Sequence, residues 1–531
     1  MKKRSRACEE CHRLKIKCDV PETEGVERGV CERCNRNNLT CTPAAPRLQR
    51  NRIQELETQI EALKTALSEK SSSEAPSTPA FDSPLSYAPH DGTLSFLDVR
   101  IPFERQRSLL RKVAEQLRTI WPVVVLQDDL ETLRAQSPIL LACVLAFCTT
   151  HAIQDTELPV HDELVRDVMR ILADEVLAKG RKSMELVQAL LIATLWSKST
   201  RDGSDNCCYQ LAQLATEMAI DLGIGGPSLQ PTPPAFFSRH RDATSLEARR
   251  TWLACSILLS SASMHIRRAP AVQWDAYHEE CLTHLQNDGL PSDALLCEIV
   301  RIHQLMQETS DRLCHCQSAT FVDANNYDTH ATIDLMKNKV NTWAAQVPDN
   351  LASSQILKLW HHVAMVHIHE VVLHTPTNKF IFAAPYIPMR IPTKDFPKPA
   401  LCIPPLSHAL HALIEHCHAV LDIVSRMDPA VVLELPTFCF APVVLYTLFV
   451  LVTVFVTATD PTNTYGRYLA RERFLIEHYG AKMLGLRKEV IESDPMMSCY
   501  TTRMIDATSW LGQWYDDYNV IIERYQAQVS G

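Results

Sequence analysis

Six cysteines lie between residues 8 and 41, and their spacing is suited to metal binding. Each half of this stretch has a Cys-x2-Cys pair followed, after six residues, by a third cysteine. The six are Cys8, Cys11, Cys18, Cys31, Cys34 and Cys41. A tetrahedral zinc ion needs four ligands, and a Cys-x2-Cys pair directs two thiolates at one ion. Because two ions need eight ligand positions and six sulfurs are present, two sulfurs must be shared. The spacing therefore predicts two structural zinc ions in one compact unit.

Disulfide, redox and catalytic-zinc interpretations fit these cysteines less well. The chain begins with the charged segment MKKRSR and no apolar signal segment, which indicates a reducing compartment. A thioredoxin-like site would need a single Cys-x2-Cys within a βαβ unit. A catalytic zinc keeps one position open for water, whereas this ligand set is closed by sulfur. The 13 other cysteines, from Cys143 to Cys499, have no regular spacing and are predicted to be buried apolar residues.

Basic side chains are concentrated in the first half of the repeat. Its third cysteine follows the run HRLKIK, whereas the second half has NRNNLT at the matching positions. Ammonium and guanidinium groups on a short helix can donate to guanine O6 and N7, and flanking basic residues can reach phosphates. This pattern favours double-stranded DNA as a partner over a merely solvated charged surface. The candidate DNA contacts are Arg4, Arg6, His12, Arg13, Lys15 and Lys17, with Lys2 and Lys3 as further phosphate contacts.

Residues 7 to 42 resemble the DNA-binding domain of the fungal zinc binuclear cluster transcription factors. The resemblance implies that Cys8 and Cys31 bridge the two zinc ions, while the other four cysteines are terminal ligands. It also places Lys15 at the family's main base-contacting position, with Arg13 and Lys17 beside it. The function it implies is the reading of CGG-like half-sites.

The chain departs from this family at three positions. His12 and Leu14 stand where the family commonly has basic residues. Pro21 lies early in the loop between the halves rather than just before the fourth cysteine. These departures affect the triplet preference and the loop turn, but not the metal ligands.

A heptad pattern follows the cysteines, in residues 48 to 70. Its apolar residues recur at alternating spacings of three and four, with Arg52 and Glu57 at flanking g and e positions. The seam consists of Ile53, Leu56, Ile60, Leu63 and Leu67. A parallel coiled coil would make a homodimer and double the number of base pairs read. The alternative is a single amphipathic helix packed on the rest of the chain.

The remainder of the chain is acidic and predicted to be helical. Residues 1 to 70 hold 15 lysines and arginines against 11 acidic residues, whereas the remainder holds 38 against 51. Only 14 glycines occur in 531 residues, and segments such as YQLAQLATEMAIDLGIGG have a helical apolar period. Residues 95 to 300 are similar to the all-helical middle regulatory region of the same family. Residues 71 to 93 are rich in serine and proline, which is typical of a disordered linker.

The predicted organisation is mainly α, in four parts. Residues 1 to 47 form the zinc binuclear cluster DNA-binding domain, and residues 48 to 70 form the coiled coil. Residues 71 to 93 form the linker, and residues 94 to 531 form a large all-helical regulatory domain.

Three histidine motifs in the body are predicted to have no metal. HEVVLH, from His369 to His374, has three residues between Glu370 and the second histidine, so it differs from the HExxH of zinc proteases. Cys314 and Cys316 flank His315. A third group could share one helix face and is interpreted as surface or core side chains: His408, His411, Glu415 and His418.

Two further segments need interpretation. Residues 435 to 459 carry no charge and are long enough to span a bilayer. Pro436, Pro442 and five threonines interrupt the run, and no basic cluster flanks it, so we predict a buried central helix and no membrane partner. The closing WLGQWYDDYNVIIERY is interpreted as an amphipathic helix packed on the body, and its acidic and aromatic residues leave an activation segment as the alternative.

The sequence therefore predicts a nuclear, sequence-specific factor that regulates RNA polymerase II transcription, and not an enzyme. Its expected partners are DNA, a second copy of the chain, and transcription machinery or co-regulators. The alternatives are a zinc-containing interaction scaffold and a helical enzyme with an accessory zinc module. Against the enzyme stands the lack of a phosphate loop, nucleophile elbow or dinucleotide fingerprint in the sequence.

Overall fold

The computed structural model divides the chain into two units, residues 1–87 and residues 88–531, and we describe each separately. It describes residues 7–19, 30–42, 91–127, 129–149, 158–197, 207–226, 240–393, 395–397, 402–460, 463, 465–467 and 469–530. In these ranges the regular structure is helical and no β-strand occurs. The coiled-coil segment with its five seam residues lies outside the described residues, as do Arg4, Arg6 and Pro21.

In the described residues of the small unit, 7–19 and 30–42, two five-residue helices occur, α1 (Glu9–Arg13) and α2 (Glu32–Arg36). Each helix begins directly after the first cysteine of its half. Its interior is sulfur rather than hydrocarbon, because four of the cysteines are at most 1% exposed. These four are Cys8, Cys11, Cys31 and Cys34. So small a unit cannot bury enough apolar surface to be stable alone, and a metal commonly supplies the missing stability.

The large unit is built from helices joined by loops and short 3-10 turns. In chain order they are α3 (Asp91–Arg100), α4 (Phe103–Thr119), α5 (Leu130–Gln136), α6 (Pro138–Cys143), α7 (Leu158–Ala173), α8 (Met184–Leu195), α9 (Cys208–Asp221), α10 (Leu246–Ile266), α11 (Ala276–Asp288), α12 (Asp293–Arg312), α13 (Tyr327–Gln346), α14 (Gln355–His369), α15 (Pro404–Val424), α16 (Pro429–Glu434), α17 (Thr437–Thr459), α18 (Ile476–Ser493), α19 (Tyr500–Asp506) and α20 (Trp510–Ser530). Helix α3 begins three residues before the predicted start of the regulatory domain at residue 94, and the fully buried Leu97 anchors it.

Helix α17 lies at the centre of the large unit. It is long and apolar enough to cross a membrane by length and composition, but 94% of its most apolar window is buried inside the protein. It packs against α8, α10, α15 and α19. Three of its threonine hydroxyls are satisfied within the helix, since Thr447, Thr453 and Thr457 each donate to the carbonyl four residues earlier at 2.7–2.8 Å. The prediction of a buried central helix is confirmed.

The last helix, α20, packs on the large unit. Leu511, Tyr518 and Ile522 are buried along it. The ring of Tyr518 stacks on Trp514 at 5.1 Å and meets Phe455 of α17 edge to face at 5.7 Å. This confirms the packed amphipathic helix predicted for the closing segment.

Candidate metal centre and nucleic-acid interface

The six sulfurs form two groups of four that share two members. In each group all sulfurs lie within 4.8 Å of one another, and Cys8 and Cys31 belong to both groups. The Cys8 sulfur lies 3.8 Å from that of Cys31 and 3.7 Å from that of Cys34, and the Cys11 and Cys31 sulfurs are 3.8 Å apart. Four thiolates about 2.3 Å from a tetrahedral zinc ion lie about 3.8 Å from one another. The residues present therefore fit two zinc ions with two shared sulfurs.

In each half, a hydrogen bond of the same type joins the first cysteine to the third. The backbone N–H of Cys8 donates to the sulfur of Cys18 at 3.3 Å. The backbone N–H of Cys31 donates to the sulfur of Cys41 at 3.4 Å. The repeat in the sequence is thus a repeat in three dimensions, and it orients the third sulfur of each half.

The two halves also exchange backbone hydrogen bonds. The N–H of Glu9 donates to the carbonyl of Thr42 at 2.9 Å, and the N–H of Glu32 donates to the carbonyl of Asp19 at 3.0 Å. In each pair, the donor follows the first cysteine of one half and the acceptor follows the third cysteine of the other. Each half therefore supplies a backbone carbonyl that accepts from the first N–H of the other half's helix. The cysteine spacing alone does not predict these hydrogen bonds.

The start of each short helix favours a thiolate at the shared sulfurs. The backbone N–H of Cys11 lowers the pKa of the Cys8 thiol to about 6, and the backbone N–H of Cys34 lowers the pKa of the Cys31 thiol. Burial raises the pKa of Cys11 to about 12. Since the thiolate is the metal ligand, the most stabilised anions are the two that would contact both ions.

Lys15 does not lie on a helix, which corrects the prediction of a cationic helix running through it. Helix α1 ends at Arg13, and Lys15 occupies a left-handed turn with φ +53°. The turn is closed by the N–H of Ile16, which donates to the carbonyl of Cys11 at 3.1 Å. The physical reason is that the chain must reverse quickly to return Cys18 to the sulfur cluster.

The other predicted DNA contacts lie around this turn. Lys15 and Lys17 are exposed, and the Lys17 ammonium lies 3.1 Å from the Asp19 carboxylate. His12 and Arg13 belong to α1, but their side chains lie outside the described part of the structure.

A buried polar cluster in the large unit joins residues that are far apart in sequence. The Glu370 carboxylate accepts from His374 Nε2 at 2.7 Å, from the Arg267 guanidinium at 2.5 Å and from the Tyr446 hydroxyl. His315 Nδ1 lies 3.5 Å from it. Burial raises the pKa of Glu370, but Arg267, His315 and His374 together hold that pKa well below its usual range. The positions of Glu370 and His374 suggested a helical motif, whereas the partner Arg267 carried no sequence signal.

This cluster has a metal-like geometry, because His315, Glu370 and His374 bring their ligand atoms within 4.8 Å of one another. The Arg267 guanidinium already neutralises the carboxylate, and a divalent cation would add uncompensated charge to a dry interior. We therefore interpret the cluster as a buried ion pair. In the other histidine group, His411 contacts the carbonyl of Ser407 at 2.8 Å and His418 contacts the carbonyl of Phe474 at 3.0 Å, so their rings point to different partners.

Comparison with known proteins finds two family matches. Residues 6–51 match the fungal Zn(2)-Cys(6) binuclear cluster domain, and residues 101–454 match the WAR1 C-terminal domain. No solved structure matches the chain.

Three curated relatives are transcriptional regulators by name. Transcription factor pbcR of Emericella nidulans is 24% identical over 65% of this chain and 52% of its own length. Transcription factor opdL of Penicillium oxalicum is 24% identical over 80% of this chain and 78% of its own. Transcriptional regulator WAR1 of Candida albicans is 23% identical over 50% of this chain and 28% of its own. The match thus spans from about a quarter to about three quarters of these relatives.

Proposed function

Because the chain belongs to the fungal Zn(2)-Cys(6) binuclear cluster family with a WAR1 C-terminal domain, we propose that it is a nuclear, sequence-specific DNA-binding regulator of RNA polymerase II transcription. The observation that carries this proposal is the pair of four-sulfur groups that share Cys8 and Cys31, placed directly beside an exposed turn with two lysines. The large helical unit is the regulatory part, through which co-regulators or the transcription machinery act.

The metal centre holds two zinc ions per chain. One ion would be held by Cys8, Cys11, Cys18 and Cys31, and the other would be held by Cys8, Cys31, Cys34 and Cys41, with Cys8 and Cys31 common to both sets. The zinc supplies a structural cross-link, and the protein groups carry the recognition. The sulfur-to-sulfur distances of 3.7–3.8 Å support this assignment.

The turn after α1 presents the base-reading groups. Lys15 donates from its ammonium group to guanine O6 and N7 of a CGG-like half-site, and Arg13, Lys17 and His12 flank that contact. Arg4 and Arg6 precede the first cysteine in the sequence and contact phosphates. These contacts add affinity without reading the DNA sequence. A homodimer formed through the seam of residues 48 to 70 reads two half-sites.

Metal analysis of the purified full-length chain tests the centre. We expect two zinc ions per chain in the wild type and fewer than two when the shared Cys31 is replaced by serine. Replacement of the isolated, buried Cys417 by serine is the matched control and leaves the zinc content at two. A wild-type ratio near one contradicts the shared-sulfur centre.

Selection of bound sequences from random DNA with the full-length chain tests the DNA-binding role. We expect enrichment of a guanine-containing triplet, present twice if the chain binds as a homodimer. Retention of DNA without any enriched sequence would contradict the proposal and favour a zinc-containing scaffold.

A further inference from the structure

Leu14 is an exposed apolar residue on the cationic edge of the small unit. It directly precedes Lys15, and 49% of its surface is exposed. Its backbone N–H ends α1 by a long hydrogen bond of 3.4 Å to the carbonyl of Glu10. Exposure of the apolar side chain of Leu14 to water is unfavourable. Burial of that surface against a ligand would therefore be favourable.

The second half of the repeat serves as an internal control for this position. Asn37 stands at the matching place, three residues after the second cysteine of its half, and its side chain donates to the carbonyl of Arg33 at 2.9 Å to cap α2. Leucine has no group for such a cap. The zinc unit itself therefore does not require an apolar side chain here.

Another apolar residue of the turn, Ile16, differs from Leu14 in this respect. Its counterpart in the second half is Leu39, and the two are similarly exposed, at 42% and 38%. An apolar residue at that position is shared by both halves and so belongs to the architecture of the turn. Leu14 is the apolar residue that only the lysine-bearing half has.

We propose that Leu14 contacts the 5-methyl group of a thymine beside the base pair that Lys15 contacts, and so selects thymine at that position of the half-site. Thymine is the base that presents a methyl group in the major groove. Consecutive Cα atoms are about 3.8 Å apart and base pairs stack at about 3.4 Å, so neighbouring residues can reach neighbouring base pairs. This inference rests on the proposed function.

The test compares thymine with deoxyuridine, which lacks only the 5-methyl group. Random-sequence selection with the full-length chain first identifies the half-site, and the same selection with Lys15→Ala identifies the base pair that depends on Lys15. The affinity of the chain is then measured for the selected duplex and for one with deoxyuridine in place of the neighbouring thymine. We expect deoxyuridine to weaken binding about fourfold per half-site, the factor for burying about one methyl group.

Variants assign the effect to Leu14. In Leu14→Asn, which installs the residue of the other half, affinity for the thymine duplex falls by a similar factor and the thymine-to-deoxyuridine ratio becomes one. Leu39→Asn is the matched control, because Leu39 is similarly exposed but belongs to the half whose matching run, NRNNLT, has no lysine, and it keeps the wild-type ratio. Zinc content, measured for each variant, stays at the wild-type value.

The outcomes separate this inference from the function on which it rests. A selected site without thymine beside the Lys15-dependent base pair, equal affinity for both duplexes, or an unchanged ratio in Leu14→Asn overturns the role of Leu14 and leaves the DNA-binding function intact. A selection without any enriched sequence overturns both.

Discussion

Lys15 has a left-handed backbone, with φ +53°, and Asn38 has the same conformation in the other half, with φ +50°. Asparagine tolerates this region, whereas lysine reaches it only at a cost, and such strain persists where the surrounding structure enforces it. The sulfur cluster enforces it here. The half with the strained lysine is also the half proposed to contact bases. Backbone strain of this kind is typical of functional sites.

We predict that Lys15→Asn removes the preference for the base pair that Lys15 contacts, without loss of zinc. A good base-edge contact is worth about 1–3 kcal/mol of discrimination, which this variant removes, whereas asparagine suits the left-handed turn. Competition binding with matched and scrambled duplexes measures the first effect, and metal analysis measures the second. Asn38→Lys is the control and keeps the preference. If Lys15→Asn keeps the wild-type ratio of affinities for matched and scrambled duplexes, the base-contacting residue is Arg13 or Lys17.

We predict that Glu370→Gln strongly destabilises the large unit. Loss of the carboxylate leaves the Arg267 guanidinium buried without an opposite charge, which costs about 3–5 kcal/mol in the free energy of unfolding. Urea denaturation followed by circular dichroism measures it. The control is Glu308→Gln, because Glu308 forms a partly exposed pair with Lys339 at 2.7 Å and its loss costs at most about 1 kcal/mol. Equal losses in the two variants would show that burial is not the cause.

At the scale of the elements, α17 was predictable and α1 was only partly so. A run of 25 uncharged residues, 435 to 459, defines α17 because apolar composition and length are local properties. Helix α1 ends two residues before Lys15 because the third cysteine must return to the sulfur cluster, which is a tertiary constraint. The contact of Arg267 with Glu370 joins residues 103 positions apart, and no local pattern encodes it.

The seam of residues 53 to 67 stays a prediction at this scale. We expect the double variant Leu56→Glu with Leu63→Glu to dissociate the dimer and to weaken binding to paired half-sites, because two like charges would face each other in each d layer. Analytical ultracentrifugation measures the oligomeric state. The control replaces Thr58 and Thr65, at the outer f positions of the same heptads, by glutamate and leaves the dimer intact. An unchanged oligomeric state in the leucine variant would mean that the seam does not form the dimer contact and instead packs on the rest of the chain.

At the scale of the whole molecule, we predict that the large unit loses stability in mild acid. Burial lowers the pKa of six histidines that are almost completely enclosed, to about 3 for His265 and to about 4 for His303, His315 and His369. The other two are His367 and His374. Below about pH 6.5 the unfolded chain binds protons that the folded chain does not, so each costs up to about 1.4 kcal/mol per pH unit.

Three carboxyls whose pKa is raised by burial act in the opposite direction, namely Glu185, Glu298 and Asp311. Burial raises the pKa of Glu185 to about 7, so the folded state holds a proton there that the unfolded state lacks between about pH 7 and 4.3. The six histidines outweigh the three carboxyls, and the free energy of unfolding falls from pH 7 to pH 5. Urea denaturation at pH 7, 6 and 5 measures this slope. His303→Gln makes it shallower by about one proton, and a flat profile in the wild type would contradict the burial of these rings.

The exchanged backbone bonds of the small unit make its chain path a closed ring. The N–H of Glu9 meets the carbonyl of Thr42, so the point where the path enters lies beside the point where it leaves. Because the two ends of the path are adjacent, we expect the fold not to depend on which half comes first in the sequence. A circularly permuted unit that began with the second half would keep the same six sulfurs in the same two groups of four, and only the attachment point to the rest of the chain would differ.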